Sequence, residues 1–145
     1  MIIQAKEMRE TDLVAALAKK LWPDHDYDFL KDDFAKMLGQ EDAALFLAME
    51  EGTPAGFAHS QIRRDYVEGS ETSPVGYLEG IYVEEAFRGR GIARSLVRAC
   101  EAWSKQFGCT EFGSDCELWN TDSLHFHLSV GFTEANRTIS FIRKI

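Results

Sequence analysis

Hydrophobic and polar positions along this chain switch repeatedly between helical and alternating spacing, and the order of the switches sets out a fold. The opening "MIIQAKEM" alternates enough for a strand. "TDLVAALAKKLW" follows with Leu13, Leu17 and Leu21 on one helical face, Thr11 as the expected N-cap and Pro23 as the stop. "DYDFLKDDFAKML" reads as a second helix, with Leu30, Phe34, Met37 and Leu38 inward and Gly39 ending it. "AALFLAME", the turn "EGTP" and "AGFAHSQIRRDYV" predict a hairpin whose long second strand ends in the polar loop "EGSETSP". "VGYLEGIYV" is a central strand. From Gly91 the period turns helical: Leu96, Cys100, Trp103 and Phe107 form the inward stripe, and Arg94, Arg98, Glu101 and Lys105 face water. "CTEFGSDCE" is a further strand, "NTDSLHFHLSVGF" a short helix with Gly131 past its end, and "TEANRTISFIRKI" the last strand or pair of strands.

The resulting order, β-α-α-β-β-β-α-β-α-β, predicts an α/β (α+β) fold in which helices flank a mixed sheet. No repeat, low-complexity tract or linker divides the chain, so residues 1–145 are read as one domain.

Composition adds little to this picture except by exclusion. Apolar residues make up 45% and charged residues 28%, as in an ordinary soluble domain. A formal charge of −8 argues against nucleic acid as the main partner and permits a cationic one, although taken alone the acidity asks for nothing beyond solubility. Cys100, Cys109 and Cys116 leave one thiol unpaired in any intramolecular scheme and have no zinc-ligand spacing. Reduced thiols, no signal-like h-region and no membrane-length apolar run together give the expectation of a cytoplasmic protein without a membrane partner.

Against that acidic background, "EEAFRGRGIARSL" gathers Arg88, Gly89, Arg90, Gly91 and Arg94 between a strand and a helix. Glycines there let the backbone approach a ligand closely and accept φ > 0, and a helix N-terminus adds positive potential, so several N–H groups can converge on one anion. The spacing is neither G-x-x-x-x-G-K-[ST] nor a complete G-x-G-x-x-G. A phosphorylated ligand other than ATP in a P-loop is implied, and a solvated Gly-rich turn is the competing reading of the six residues alone.

Arg88, Gly91 and Ala93 match the R/Q-x-x-G-x-G/A signature, and on this motif and the element order the chain resembles the GCN5-related N-acetyltransferases. "LWPDH", "RRDYVEGSETSPVGYLEGIYV", "CTEFGSDCE" and "SVGF" make it similar, over most of its length, to the aminoglycoside 6'-N-acetyltransferases within that family. The resemblance implies the acetyl-CoA N-acyltransferase fold, with a mostly antiparallel sheet and splayed parallel strands that hold acetyl-CoA. It implies pyrophosphate binding by the loop of Arg88, Gly89, Arg90, Gly91, Ile92 and Ala93. It also implies pantetheine pairing along Ile81, Tyr82 and Val83, with the Ile81 N–H polarising the thioester carbonyl, and further contacts from Asn120 and Ser123. The reaction implied is acetyl transfer to the 6'-amino group of an aminoglycoside by direct attack in a ternary complex, without a metal. Other amines as acceptors (polyamine, amino acid, peptide N-terminus), or acyl-CoA binding without catalysis, are the alternatives. Related enzymes are commonly dimers, so a homodimer is expected, and "RTISFIRKI" could exchange between subunits.

Several residues carry the chemistry. Simple alternation puts Tyr77, Glu79, Ile81 and Val83 on one face, so Glu79 sits among apolar neighbours, and Gly80 beside it suggests a bulge or close backbone approach. A substrate ammonium must lose a proton before it attacks a thioester. Glu79 and Asp115 are the candidates to grip it and accept that proton; a wet sheet face for the first and a strand-end turn for the second are the structural alternatives. His127 stands where the family usually has a tyrosine that protonates the departing thiolate, and it reads equally as a structural histidine. Asn120, Ser123 and His127 fall within about 60° of one another on a helix and need partners. By resemblance Trp22 and Tyr66 would cover sugar faces and Asn136 would stand where relatives use an acid; Trp22 is equally a helix-end core residue. His125 and His127 are about 200° apart and cannot chelate one metal, and no Ser–His–Asp set has triad geometry.

Overall fold

The computed structural model describes residues 1–145. Five strands form one sheet in chain order: β1 (Ile2–Gln4), β2 (Ala43–Glu50), β3 (Thr53–Arg63), β4 (Val75–Val83) and β5 (Phe112–Ser114). The first four are antiparallel to their neighbours, and β5 joins β4 in parallel. Helices α1 (Met8–Leu21) and α2 (Tyr27–Met37) pack on one face, and α3 (Ile92–Lys105) on the other. The short α4 (Thr121–Ser129) adds Phe126 to the α3 side. No helix is long and apolar enough to cross a membrane.

Covering both faces explains why β2 reads as an unbroken apolar run. Leu45 and Leu47 pack with Val14, Leu17, Leu30, Phe34 and Phe57 beneath α1 and α2. Ala44, Phe46 and Ala48 meet Leu96, Val97, Cys100 and Trp103 from α3. The expected stripe of α3 is therefore correct, with Phe107 just past the helix end against the Trp103 ring at 5.0 Å.

Three expectations change. Thr11 is not the N-cap of α1. The helix starts at Met8, where the Glu10 carboxylate accepts from the Glu7 N–H at 3.1 Å. Thr11 lies one turn inside, fully buried, its hydroxyl donating back to the Met8 carbonyl at 2.9 Å. Second, β3 stops at Arg63, and Val67 turns back to pack with Val75 and Tyr77. Third, residues 133–145 form no strand. A strand needs an edge to pair with. Here Ala135 lies over Gly69, the Asn136 amide donates to Glu68 at 2.7 Å, and Ile139, Phe141, Ile142 and Ile145 stand exposed.

Candidate active site

The site begins where β4 and β5 part. They pair only from Gly76 with Phe112 to Leu78 with Ser114. Opposite, Ser60 pairs with Leu78 and His59 with Gly80, so Glu79 is an extra residue with no partner on β3. This bulge shifts the phase of the strand by one and overturns the expected alternation. Ile81 and Val83 do not share a face with Tyr77 and Glu79. They join Leu78 on the α3 side, while Tyr82 packs on the α1 side and Gly80 faces Trp22 there. A Cβ on Gly80 would come within 2.8 Å of the Trp22 ring, so glycine is what lets that indole lie on the bulge.

Beyond the bulge one edge of β4 is open. The Glu84 N–H donates to the Ala55 carbonyl at 2.8 Å, and Tyr82 pairs with Phe57 two residues along. By the alternation of an antiparallel ladder, Tyr82 bonds β3, whereas Ile81 and Val83 turn their main-chain groups toward the open edge. The Val83 carbonyl there accepts from Arg88 Nε at 2.9 Å.

The loop after β4 supplies the donors. Gly89 and Gly91 have φ of +76° and +78°, and Gly91 is the N-cap of α3. Within the chain, the N–H groups of Gly89, Arg90, Gly91, Ile92, Ala93 and Arg94 donate to no acceptor; the first helical bond here is Ser95 N–H to the Gly91 carbonyl at 3.0 Å. Arg90 folds back to the Ala86 carbonyl at 3.2 Å, and Arg94 reaches the Ser129 carbonyl at 2.7 Å, tying α3 to the end of α4. Six consecutive unpaired donors at a helix N-terminus form an anion cradle.

On the α1 side of the bulge the two candidate acids stand in one network. Arg63 forks both Glu79 oxygens, Nε at 2.9 Å and Nη2 at 2.8 Å, and its guanidinium carbon lies 3.4 Å from the centre of the Tyr77 ring. The Tyr77 hydroxyl donates to Asp115, just past the end of β5. Burial, together with that hydrogen bond and the Asp115 charge, pushes the Tyr77 phenol well above its ordinary value, so it stays a donor. Glu111 caps the neighbouring loop, its Oε1 accepting from the N–H groups of Glu71 and Thr72 at 3.0 and 2.8 Å. Arg63 and Tyr77 were missed by sequence reasoning; the only signal was a pair of arginines ending a strand beside an acidic one.

His127 sits at the parting of the strands. Its Nδ1 is 2.6 Å from the Ser123 carbonyl, which can only accept, so Nδ1 carries a proton. Nε2 is 2.7 Å from Ser114 Oγ, itself 3.3 Å from the Leu78 carbonyl. The imidazole accepts from Ser114 when neutral and donates to it when protonated. Asn120 is the N-cap of α4, its Oδ1 accepting from the Ser123 N–H at 3.1 Å, which leaves its amide nitrogen for other contacts.

The other expected residues scatter around the acids. Trp22 takes the helix-end core position: its ring meets the Phe57 ring at 6.3 Å and covers Gly80. Tyr66 is 76% exposed and, with Arg63, Arg64 and Asp65, lines an open hollow of about 340 Å³. Asn136 is bound to Glu68 and to the Arg137 N–H, and no contact joins it to Glu79 or Asp115.

An anion cradle and an open edge on one bulged strand, with a carboxylate on that strand and a second just past its parallel neighbour, define an acyl-CoA-dependent transferase, and the chain belongs to the acetyltransferase (GNAT) family, matched over residues 8–132. It is 42% identical over 141 residues to an aminoglycoside N(6')-acetyltransferase type 1 of Salmonella enteritidis, covering 96% of this chain and 97% of that one. A protein of the same name from Salmonella typhimurium is 44% identical over 128 residues, 88% of each chain. Among solved structures, AAC(6')-Iy in complex with the bisubstrate analog CoA-S-monomethyl-acetylneamine superposes with a TM-score of 0.95 at 38% identity, covering 100% of this chain and 98% of the other.

Proposed function

We propose that this acetyltransferase moves the acetyl group of acetyl-CoA onto the 6'-amino group of an aminoglycoside, by direct attack in a ternary complex, and thereby confers resistance. The observation that carries the reading is the strand β4, which runs from Glu79, with Asp115 brought beside it from the end of β5, past an unpaired edge, into a cradle of free N–H groups. The pyrophosphate takes the amides of residues 89–94 with Arg88 and Arg90 beside it, and the pantetheine arm adds to the edge at Ile81 and Val83. The Asn120 amide and Ser123 hydroxyl flank the arm, and the Tyr82 ring lies beneath Arg88. Glu79 and Asp115 hold the substrate ammonium and, directly or through water, accept its proton. The freed amine forms the C–N bond as the C–S bond breaks, with the Ile81 N–H steadying the carbonyl oxygen. The nitrogen's remaining excess proton passes to water as the amide forms, and His127, through Ser114, supplies one to the thiolate. Trp22 and Tyr66 cover sugar faces, and Asn136 offers a neutral contact at the rim.

The enzyme is read as a cytoplasmic homodimer. Three free cysteines fit a reducing compartment, and the exposed apolar residues Ile139, Phe141, Ile142 and Ile145 fit a segment covered by a second chain. Incubation with acetyl-CoA and kanamycin or tobramycin, following thiol release, tests the reaction. No turnover with any 6'-amino aminoglycoside overturns it; turnover only with a polyamine or peptide reassigns the acceptor, and acetyl-CoA binding without amine consumption makes the chain a binding module.

A further inference from the structure

Both oxygens of Glu79 are already occupied by a cation of the chain itself. Arg63 reaches them from the last position of β3, on the strand face that also carries Phe57 and His59. Its guanidinium makes no other hydrogen bond and lies over the Tyr77 ring, and the side chain is 40% exposed against 22% for Glu79. It is therefore held by charge and stacking at the mouth of the hollow, and its outward rotation would leave the buried clusters untouched. Tyr77, beneath it, connects the pair to Asp115.

We propose that Arg63 is a specificity-determining residue: a resident counter-ion on Glu79 that an acceptor must displace, so that amines carrying several positive charges are favoured over single amines. The inference rests on the assignment of Glu79 and Asp115 to the acceptor amine. A monoamine offers one ammonium in exchange for one guanidinium, and the bidentate fork with its ring stacking is the better partner for Glu79. A polyammonium acceptor brings further cations that Asp115 and the surrounding negative charge attract, and these tip the exchange. Arg63 thus excludes common cellular monoamines without contacting the reacting atoms.

Arg63→Gln removes the charge and the fork. The readout is kcat/KM for kanamycin relative to kcat/KM for 6-amino-6-deoxyglucose, a sugar with one amine. The expected result is a drop of about tenfold in that ratio, close to 1.4 kcal/mol, arising from a lower KM for the monoamine. Arg63→Lys keeps a cation on Glu79 and restores at least part of the discrimination. An unchanged ratio, or a KM that rises equally for both acceptors, overturns the proposal, the second outcome making Arg63 only a prop for Glu79. Acetyl-CoA affinity measured on each variant verifies that it is folded. Wild-type enzyme that acetylates neither amine refutes the acceptor assignment itself, whereas wild-type turnover with unaltered selectivity in Arg63→Gln refutes this inference alone.

Discussion

Gly91→Ala separates two consequences of one substitution. The residue has φ of +78°, and a Cβ built there meets no atom of the chain within 4 Å, so no clash contributes. A left-handed conformation costs an L-residue about 1–2 kcal/mol, offset by about 0.5–1 kcal/mol because alanine restricts the unfolded chain more than glycine. The net loss is about 1 kcal/mol, or about 3 °C in Tm for a domain of this size. Gly52, in the β2–β3 turn, has φ of +80° and equally empty surroundings, so Gly52→Ala is a strain-matched control far from the cradle. Both variants should lose similar stability in urea titrations. Only Gly91→Ala should lose acetyl-CoA affinity, because its added methyl and shifted amide disturb charge-assisted bonds worth about 1.5–3 kcal/mol each. Calorimetric titration should then report weakening of about ten- to a hundredfold for one lost bond, with Gly52→Ala at the wild-type value. Equal acetyl-CoA affinities for the two variants would refute the assignment of the 89–94 amides to an anion.

Glu79→Gln and Asp115→Asn should each lower kcat/KM for transfer by about 10²–10⁴-fold in thiol-release kinetics, the range of a lost general base, with acetyl-CoA affinity nearly intact. Burial lowers the pKa of His59 below its ordinary 6.5, against the opposing charges of Glu79 and Asp33. The unfolded chain then takes up a proton before the folded one does, so stability should be level above pH 6.5 and fall as pH drops below it. Urea midpoints across pH 5–8 measure this, and His59→Phe should flatten that part of the slope. Deleting residues 138–145 should convert a dimer to a monomer in sedimentation velocity; a full-length monomer, or an undisturbed dimer after deletion, contradicts the reading of the exposed tail.

The glycine turn between β4 and α3 was legible because its signal is local: glycines, arginines and a helix start are adjacent in sequence. The helices and the buried β2 were legible for the same reason, as periodicity is a short-range property. The face assignment in β4 failed at Glu79, since alternation assumes that every residue is paired and a bulge is defined by a partner strand. Arg63 was unreadable because what makes it matter is separated from it in sequence: Glu79 comes 16 residues later, brought near by the hairpin of β3 and β4. Thr11 failed because two acceptors competed for the start of α1, and the carboxylate of Glu10 prevailed. The tail, rich in apolar residues, found no edge to pair with within one chain.

The unpaired residue in β4 gives that strand two reading frames. Up to Leu78 its odd-numbered side chains look toward α1, and after Gly80 they look toward α3. Removing Glu79 would restore plain alternation, with Ile81 and Val83 still toward α3 and Tyr82 still toward α1, and would take away only the bulge at which β4 parts from β5. Deletion of Glu79 should therefore leave a folded chain whose two half-strands are packed as before but whose cleft is lost, so the extra residue serves the site and not the core.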